Sequence, residues 1–304
     1  MDIWIPVTLA AALAQTLRFM LQKQLKTVGL STGGATLARF IYSTPLIGAI
    51  ALGYSHLTSQ AWPQIPPRFW AFAISGGAAQ LLATMCMVAL FSHRSFAVGM
   101  AFKKTEVLLS VLVGIVLLGE AVSGWGLVAI VLGLVGVLLL SDPPQGEGVW
   151  PRAWHRRIMN RSVALGLIAG GLFAVSGVTY RGASLALASG DTFQRAMVTL
   201  ALVTLMQTAA LVGWLVLREA GEMRRVLTAW RVASLVGLAS MAGSICWFVA
   251  FTLQTVAYVT ALGQVELIFS LIVSVFVFSE TVSRREWQGL AILAGSILLL
   301  VLVS

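Results

Sequence analysis

Apolar stretches of about 20 residues recur along the chain, separated by short polar or basic segments, at 3–22, 32–53, 69–91, 96–118, 122–140, 162–184, 190–217, 229–252, 256–279 and 285–303. About 20 apolar residues are what an α-helix needs to cross a hydrocarbon core of about 30 Å. The pattern predicts an all-α integral membrane protein of ten transmembrane helices. Most connections are short. The longest, Ser141 to Arg161, reads SDPPQGEGVWPRAWHRRIMNR and divides the chain near its middle. This gives a five-helix unit at 1–141, a basic connecting loop at 142–161 and a second five-helix unit at 162–304.

The two units resemble each other at an offset of about 160 residues. KKTEVLLSVLVGIVLLGEAVS, ending at Ser123, reappears as GQVELIFSLIVSVFVFSETVS, ending at Ser283, so that Glu106 pairs with Glu266, Ser110 with Ser270 and Glu120 with Glu280. After a two-residue insertion WGLVAIVLG from Trp125 matches WQGLAILAG from Trp287. Upstream, Cys86 aligns with Cys246 and Phe91 with Phe251, and GATLAR ending at Arg39 resembles GDTFQR ending at Arg195. Chance likeness between leucine-rich helices does not place polar residues at a constant offset. Five spans is an odd number, so the second unit is expected to cross the membrane in the opposite sense, as two inverted repeats. That arrangement is typical of secondary transporters, whose substrate site lies near the midplane between the halves.

Composition agrees with a membrane solvent. The chain is 59% hydrophobic and 10% charged, with mean hydropathy +0.92, against about 25% charged for a soluble domain. The formal charge of +9 sits mainly in connections, so it reads as a topology signal facing anionic lipid and not as a nucleic-acid surface. Odd-numbered connections hold Lys23, Lys26, Arg94, Arg152, Arg156, Arg157, Arg161, Arg218, Arg224, Arg225, Arg231, Arg284 and Arg285, whereas even-numbered ones hold only Arg68 and Arg181. The positive-inside tendency then puts both termini outside. The opening Met1-Asp2-Ile3-Trp4 has no basic leader, so a cleaved signal peptide is not expected. Cys86 and Cys246 both sit in apolar runs and form no metal-spacing motif.

GEAVS before Trp125 and SETVS before Trp287, each following an apolar span and leading into a glycine-bearing one, resemble the drug/metabolite transporter superfamily in its EamA-type branch. The resemblance covers essentially the whole chain. It implies a ten-helix exporter or exchanger in a bacterial cytoplasmic membrane, with a central cavity, driven by protons or by substrate exchange. Members carry amino acids, other metabolites, drugs and nucleotide sugars. The resemblance also implies cytoplasmic termini, opposite to the count of basic loops. Lys103-Lys104-Thr105-Glu106 departs from the family pattern, which often has a proline in the fourth span.

Arg18, Arg39, Lys103, Lys104, Glu106, Arg195 and Glu266 are the charges in or near apolar runs. A charge at membrane depth costs about 2.5–3.5 kcal/mol on insertion scales and so faces a cavity, a partner or the interface. Glu106 and Glu266, equivalent and near the middle of their spans, are the first candidates for substrate binding or proton coupling. Lys103 shares the helical face of Glu106, whereas Lys104 points elsewhere. A fixed ion network is the alternative for these groups. Arg39 and Arg195 could hold a substrate carboxylate through a bidentate fork, or could face headgroups or close a gate. Arg18 is expected to snorkel. Trp247, Phe251, Tyr258, Phe91 and Trp70 are candidates for cavity lining or lipid contact. Glu120 with Ser123, and Glu280 with Ser283, read as helix caps. Small residues four apart, Ala129/Gly133, Ala291/Gly295 and Gly166/Gly170, read as close helix contacts within the chain or at a dimer surface.

No GxxxxGK[ST] loop, HExxH spacing or nucleophile set appears in the sequence, so neither ATP, a metal, a cofactor nor enzymatic catalysis is expected. The leading expectation is secondary active export or exchange of an amino acid or similar zwitterion by a monomer or homodimer. Proton-coupled efflux of cationic drugs, and a lipid-carrier flippase or accessory membrane subunit, are the alternatives.

Overall fold

Long apolar segments between proline, glycine and basic breaks leave the backbone one way to satisfy its own polar groups without water, and that is helix. The computed structural model describes residues 2–27, 29–90, 103–140, 161–269 and 284–303. Among these every regular element is helical. In chain order the helices are α1 (Trp4–Thr27), α2 (Thr32–Ile41), α3 (Ser43–Leu57), α4 (Pro67–Leu90), α5 (Glu106–Leu118), α6 (Gly124–Leu140), α7 (Arg161–Ala186), α8 (Thr192–Arg218), α9 (Glu222–Thr228), α10 (Trp230–Leu253), α11 (Val256–Leu262) and α12 (Arg284–Val303).

Five segments are long and apolar enough to cross a membrane: Thr32–Leu57, Pro67–Leu90, Val163–Ala186, Thr192–Arg218 and Trp230–Leu253. Shorter apolar helices at Glu106–Leu118, Gly124–Leu139, Val256–Phe269 and Trp287–Val303 fall on four more of the expected spans. Parts of the fourth and ninth expected spans, at 96–102 and 270–279, and the last residue of the third lie outside the described residues. The short α9 was expected only as a connection.

The second span is broken at Tyr42. Pro45 has no N–H to give the Ile41 carbonyl, which opens the hydrogen-bond ladder there. The Ser43 hydroxyl donates to the carbonyls of Arg39 at 2.8 Å and Phe40 at 3.2 Å, in the turn just before the break. Two more interruptions occur where the repeats match. Lys104–Thr105 forms a turn between helical Lys103 and the start of α5 at Glu106, and Gly263–Val265 forms a single 3-10 turn before α-helix resumes at Glu266. Of these residues Thr105 and Glu106 are half-buried and the rest are buried. Irregular backbone at such depth is tolerated only inside protein or beside a cavity.

The helices interlock across the two units. α4 packs along α7, α1 along α10 and α6 along α12. The span formed by α2 and α3 lies antiparallel to α8: Ser31, before α2, bonds to Glu219 and Glu222, Thr44 meets Thr208 at 2.8 Å, and Tyr54 meets Asp191 at 2.8 Å. α6 and α12 are antiparallel as well, with Ser296 Oγ donating to Ala129 O at 2.7 Å and Gly136 facing Gly289 and Leu293. The Ala129/Gly133 stripe is therefore covered within the chain.

Helix starts set the register of the two units. Ser31 accepts from Gly34 N–H at 3.0 Å and Asp191 from Gln194 N–H at 2.8 Å, so the N-caps of α2 and α8 correspond at an offset of 160 residues. Arg39 and Arg195, aligned above at 156, thus stand two turns and one turn beyond their caps and are not equivalent.

Asp191 also ties two connections together. Partial burial pushes its pKa upward. Hydrogen bonds from Gln194 N–H, the Gln60 amide, the Tyr54 hydroxyl and Phe193 N–H outweigh this and hold it below the ordinary carboxylate value. A carboxylate with a lowered folded-state pKa stabilises the fold fully above its unfolded value, about 3.9, and loses that contribution as pH falls through the folded value. The melting-temperature gap between the protein and D191N is therefore expected to be largest near neutral pH and to narrow progressively as pH falls below the ordinary aspartate value of about 3.9. A gap that stays constant down to acid pH would contradict the assignment.

Candidate functional site

The two buried interruptions and the broken second span face one cavity of about 60 Å³, on a scale where a single water needs about 10–15 Å³. It has room for a small polar molecule. Helices from both units wall it: Arg39 from α2, Gln80 from α4, Lys103 and Glu106 from the first interruption, Trp247 and Phe251 from α10, and Gln264 and Glu266 from the second. Of the residues singled out from sequence, Glu106, Glu266, Lys103, Arg39, Trp247 and Phe251 are brought together here.

The glutamates do not stand free. Lys103 Nζ lies 2.5 Å from Glu106 Oε2, the local pair expected from their spacing, and 4.9 Å above the Phe173 ring. Lys104, expected to point elsewhere, pairs instead with Glu266 across the two units. Helix gives way to a turn between Lys103 and Lys104, so adjacent side chains diverge onto partners in different units. Gln15 Nε2 adds a hydrogen bond at 2.9 Å to Glu266 Oε2. Four charges on side chains at most 13% exposed are thus paired in a site where leaving one alone is costly.

Arg39, 6% exposed, has neutral partners. Its guanidinium donates to Thr84 Oγ1 at 2.9 Å. The Gln80 amide, turned so that both of its ends are satisfied, accepts from the two terminal nitrogens at 3.0 and 3.1 Å and donates to Ser176 Oγ at 2.6 Å. The Phe40 ring lies 5.1 Å away. The far wall is aromatic: Trp247 and Phe251 stack at 5.5 Å, and Tyr180 and Phe248 at 4.5 Å. Gly263 admits the Trp247 ring, because a Cβ there would lie 2.5 Å from Trp247 Cη2.

Several expectations need correction. Arg195 does not line the cavity; it lies one turn into α8, with its Nε buried and unpaired. Tyr258 does not line it either. Its hydroxyl sits 3.1 Å from Ser123 N and 3.0 Å from Ser123 Oγ, bracing the start of α6. Trp70 is 38% exposed, in keeping with the lipid contact read as the alternative for it, whereas Arg18 is buried at 5% and does not snorkel. Ser123 does cap α6, accepting from Gly126 N–H at 3.0 Å. Glu120, read as part of that cap, instead pairs with Arg181 at 2.6 Å, and Arg181 also donates to the carbonyls of Phe251, Thr252 and Gln254. Phe91, Ser270, Glu280 and Ser283 lie outside the described residues.

Gln15, Gln80, Gln264 and Lys104 were not selected from sequence. A signal existed. Lone glutamines inside apolar runs obey the same cost argument as charges, and Gln264 is the repeat partner of Lys104.

No protein-family model and no curated protein matches the chain. A solved structure described only as a crystal structure of a protein superposes on 98% of this chain and 96% of its own length, with a TM-score of 0.70 at 15% sequence identity. At that identity the likeness is one of fold.

Proposed function

We propose that this chain is a secondary active transporter of a small carboxylate-bearing metabolite, an amino acid or similar zwitterion, in a bacterial cytoplasmic membrane. It works by alternating access between two inverted five-helix halves. The observation that carries the proposal is the cavity between the repeat-equivalent interruptions, bridged from one half to the other by Lys104 and Glu266. Interrupted helices around a central site are how such transporters present backbone and charge at depth. The antiparallel course of the α2–α3 span and α8, and of α6 and α12, supports inversion, since repeat partners then run in opposite directions. The pairs α4/α7 and α1/α10 exchange with each other under the same relation.

Both carboxylates already hold lysines, so the site favours a carboxylate-bearing solute over a cationic drug. A proton or solute that loosens Lys104 from Glu266 would release one half from the other. The substrate is to be sought by metabolite profiling of cells with and without the protein, followed by flux of the best hit in proteoliposomes. E106Q and E266Q are expected to change either the rate or its pH dependence. Wild-type flux with an unaltered pH profile in both variants would sink the proposal.

A further inference from the structure

Charge pairing in the cavity is uneven. Glu106 is matched by Lys103 and Glu266 by Lys104, but Arg39 has only Thr84, Gln80 and the Phe40 ring. No ion pair to Arg39 occurs among the described residues. Hydrogen bonds to neutral groups orient a guanidinium without cancelling its charge, so the cavity carries a surplus of one positive charge. Burying such a charge is costly unless an anion joins it.

Two further polar atoms are left open at the same place. Gln264 is 7% exposed, donates its amide to Thr260 O at 3.0 Å, and has no donor to its Oε1. The buried Trp247 indole N–H has no acceptor. Both residues line the cavity. Arg39 and Trp247 therefore offer donors, and Gln264 offers an acceptor. An ammonium group entering here finds both carboxylates occupied and must displace a lysine, whereas a carboxylate reaches Arg39 without breaking any ion pair.

Resting on the reading of this cavity as the solute site, we infer that it recognises a small hydroxycarboxylate anion. The carboxylate sits on Arg39 and the hydroxyl donates to Gln264 Oε1. The amino group of an amino acid is dispensable, and a net cation is excluded. The space, equal to about four waters, suits an acid of three or four carbons.

The test uses the purified full chain in nanodiscs and radiolabelled lactate as the probe, with unlabelled isosteres as competitors. Lactate is expected to bind in the millimolar range or tighter. Alanine and propionate should displace it. Lactamide, which lacks the anion, and alaninamide, which is a cation, should not. R39Q should weaken lactate binding about 10- to 100-fold, the size of losing a charge-assisted hydrogen bond. R39K, which keeps the charge but not the fork, should fall between the two. Q264L should abolish the preference for lactate over propionate. Should R39Q not fold, R39K and the isostere series on the unaltered protein still decide the matter.

Displacement by alaninamide but not propionate, undiminished binding to a folded R39Q, or no lactate binding to the unaltered protein would overturn the inference. Lactate binding without flux in proteoliposomes would refute transport and leave the anion site standing. Flux of a solute indifferent to R39Q and R39K would do the reverse.

Discussion

Replacing Lys104 with methionine is expected to destabilise the protein by about 3–5 kcal/mol, the cost of removing one partner from a buried ion pair. The side chains of Lys104 and Glu266 are 2% and 8% exposed, and they join the turn before α5 to the helix that resumes at Glu266. K104M takes the Lys104 ammonium away from the Glu266 carboxylate, while the Gln15 hydrogen bond stays. Removing both charges is a different matter, since K104M/E266Q takes both members of the pair away together. The double variant is expected to recover most of the loss, giving a coupling energy well above the roughly 0.5 kcal/mol within which independent sites add. Melting or denaturant unfolding in one detergent, for both single variants and the double, completes the cycle. Single variants that lose less than about 0.5 kcal/mol, or losses that simply add, would show that the pair does not hold the units together. The prediction separates stability from transport, because a recovered double variant would be folded yet lack the cross-unit charge.

Gly170→Ala is expected to cost about 1–3 kcal/mol and to disturb the candidate site from behind. A Cβ on Gly170 would lie 2.8 Å from the Lys103 carbonyl oxygen, 3.2 Å from Thr105 Oγ1 and 3.3 Å from Glu106 N. Two of these three atoms are backbone and cannot swing aside, so the turn that presents Lys103 and Glu106 must move away from α7. The neighbouring glycine supplies the control. A Cβ on Gly171 would meet only Leu109 Cδ1, at 3.9 Å, an ordinary contact. G171A should therefore melt close to the unaltered protein, while G170A melts lower and binds or carries solute less well. Equal melting of the two variants would show that α7 and the turn have slack between them. The expectation from sequence that Gly170 marks a close helix contact thus acquires a specific partner.

How much of the site could be read from sequence depended on the kind of cost involved. Charges at membrane depth stand out because hydrocarbon penalises them whatever surrounds them, which is why Glu106, Glu266, Lys103 and Arg39 were found. The repeat strengthened the choice of the glutamates. It misled for Arg195, because GATLAR and GDTFQR match in letters at 156 whereas the helix caps match at 160. Aromatic residues fared unevenly. Trp247 and Phe251 reach the cavity, but Tyr258 has the same composition signal and braces a helix start instead. Nothing in a hydropathy profile distinguishes these roles. Helix-face arguments also assume continuous helix, and Lys104 escaped them because Lys104–Thr105 forms a turn.

Local rules in the chain itself determined that it is helical and where most helices begin and end. Helix length, caps, prolines and the burial cost of single charges act over a few residues and are written in order. Which lysine meets which glutamate, and that Arg39 is left with neutral neighbours, were decided only when helices from both halves packed together. An ion pair such as Lys104–Glu266 joins residues far apart in sequence, and its energy depends on distance and on exclusion of solvent. Neither exists until the halves close around the cavity.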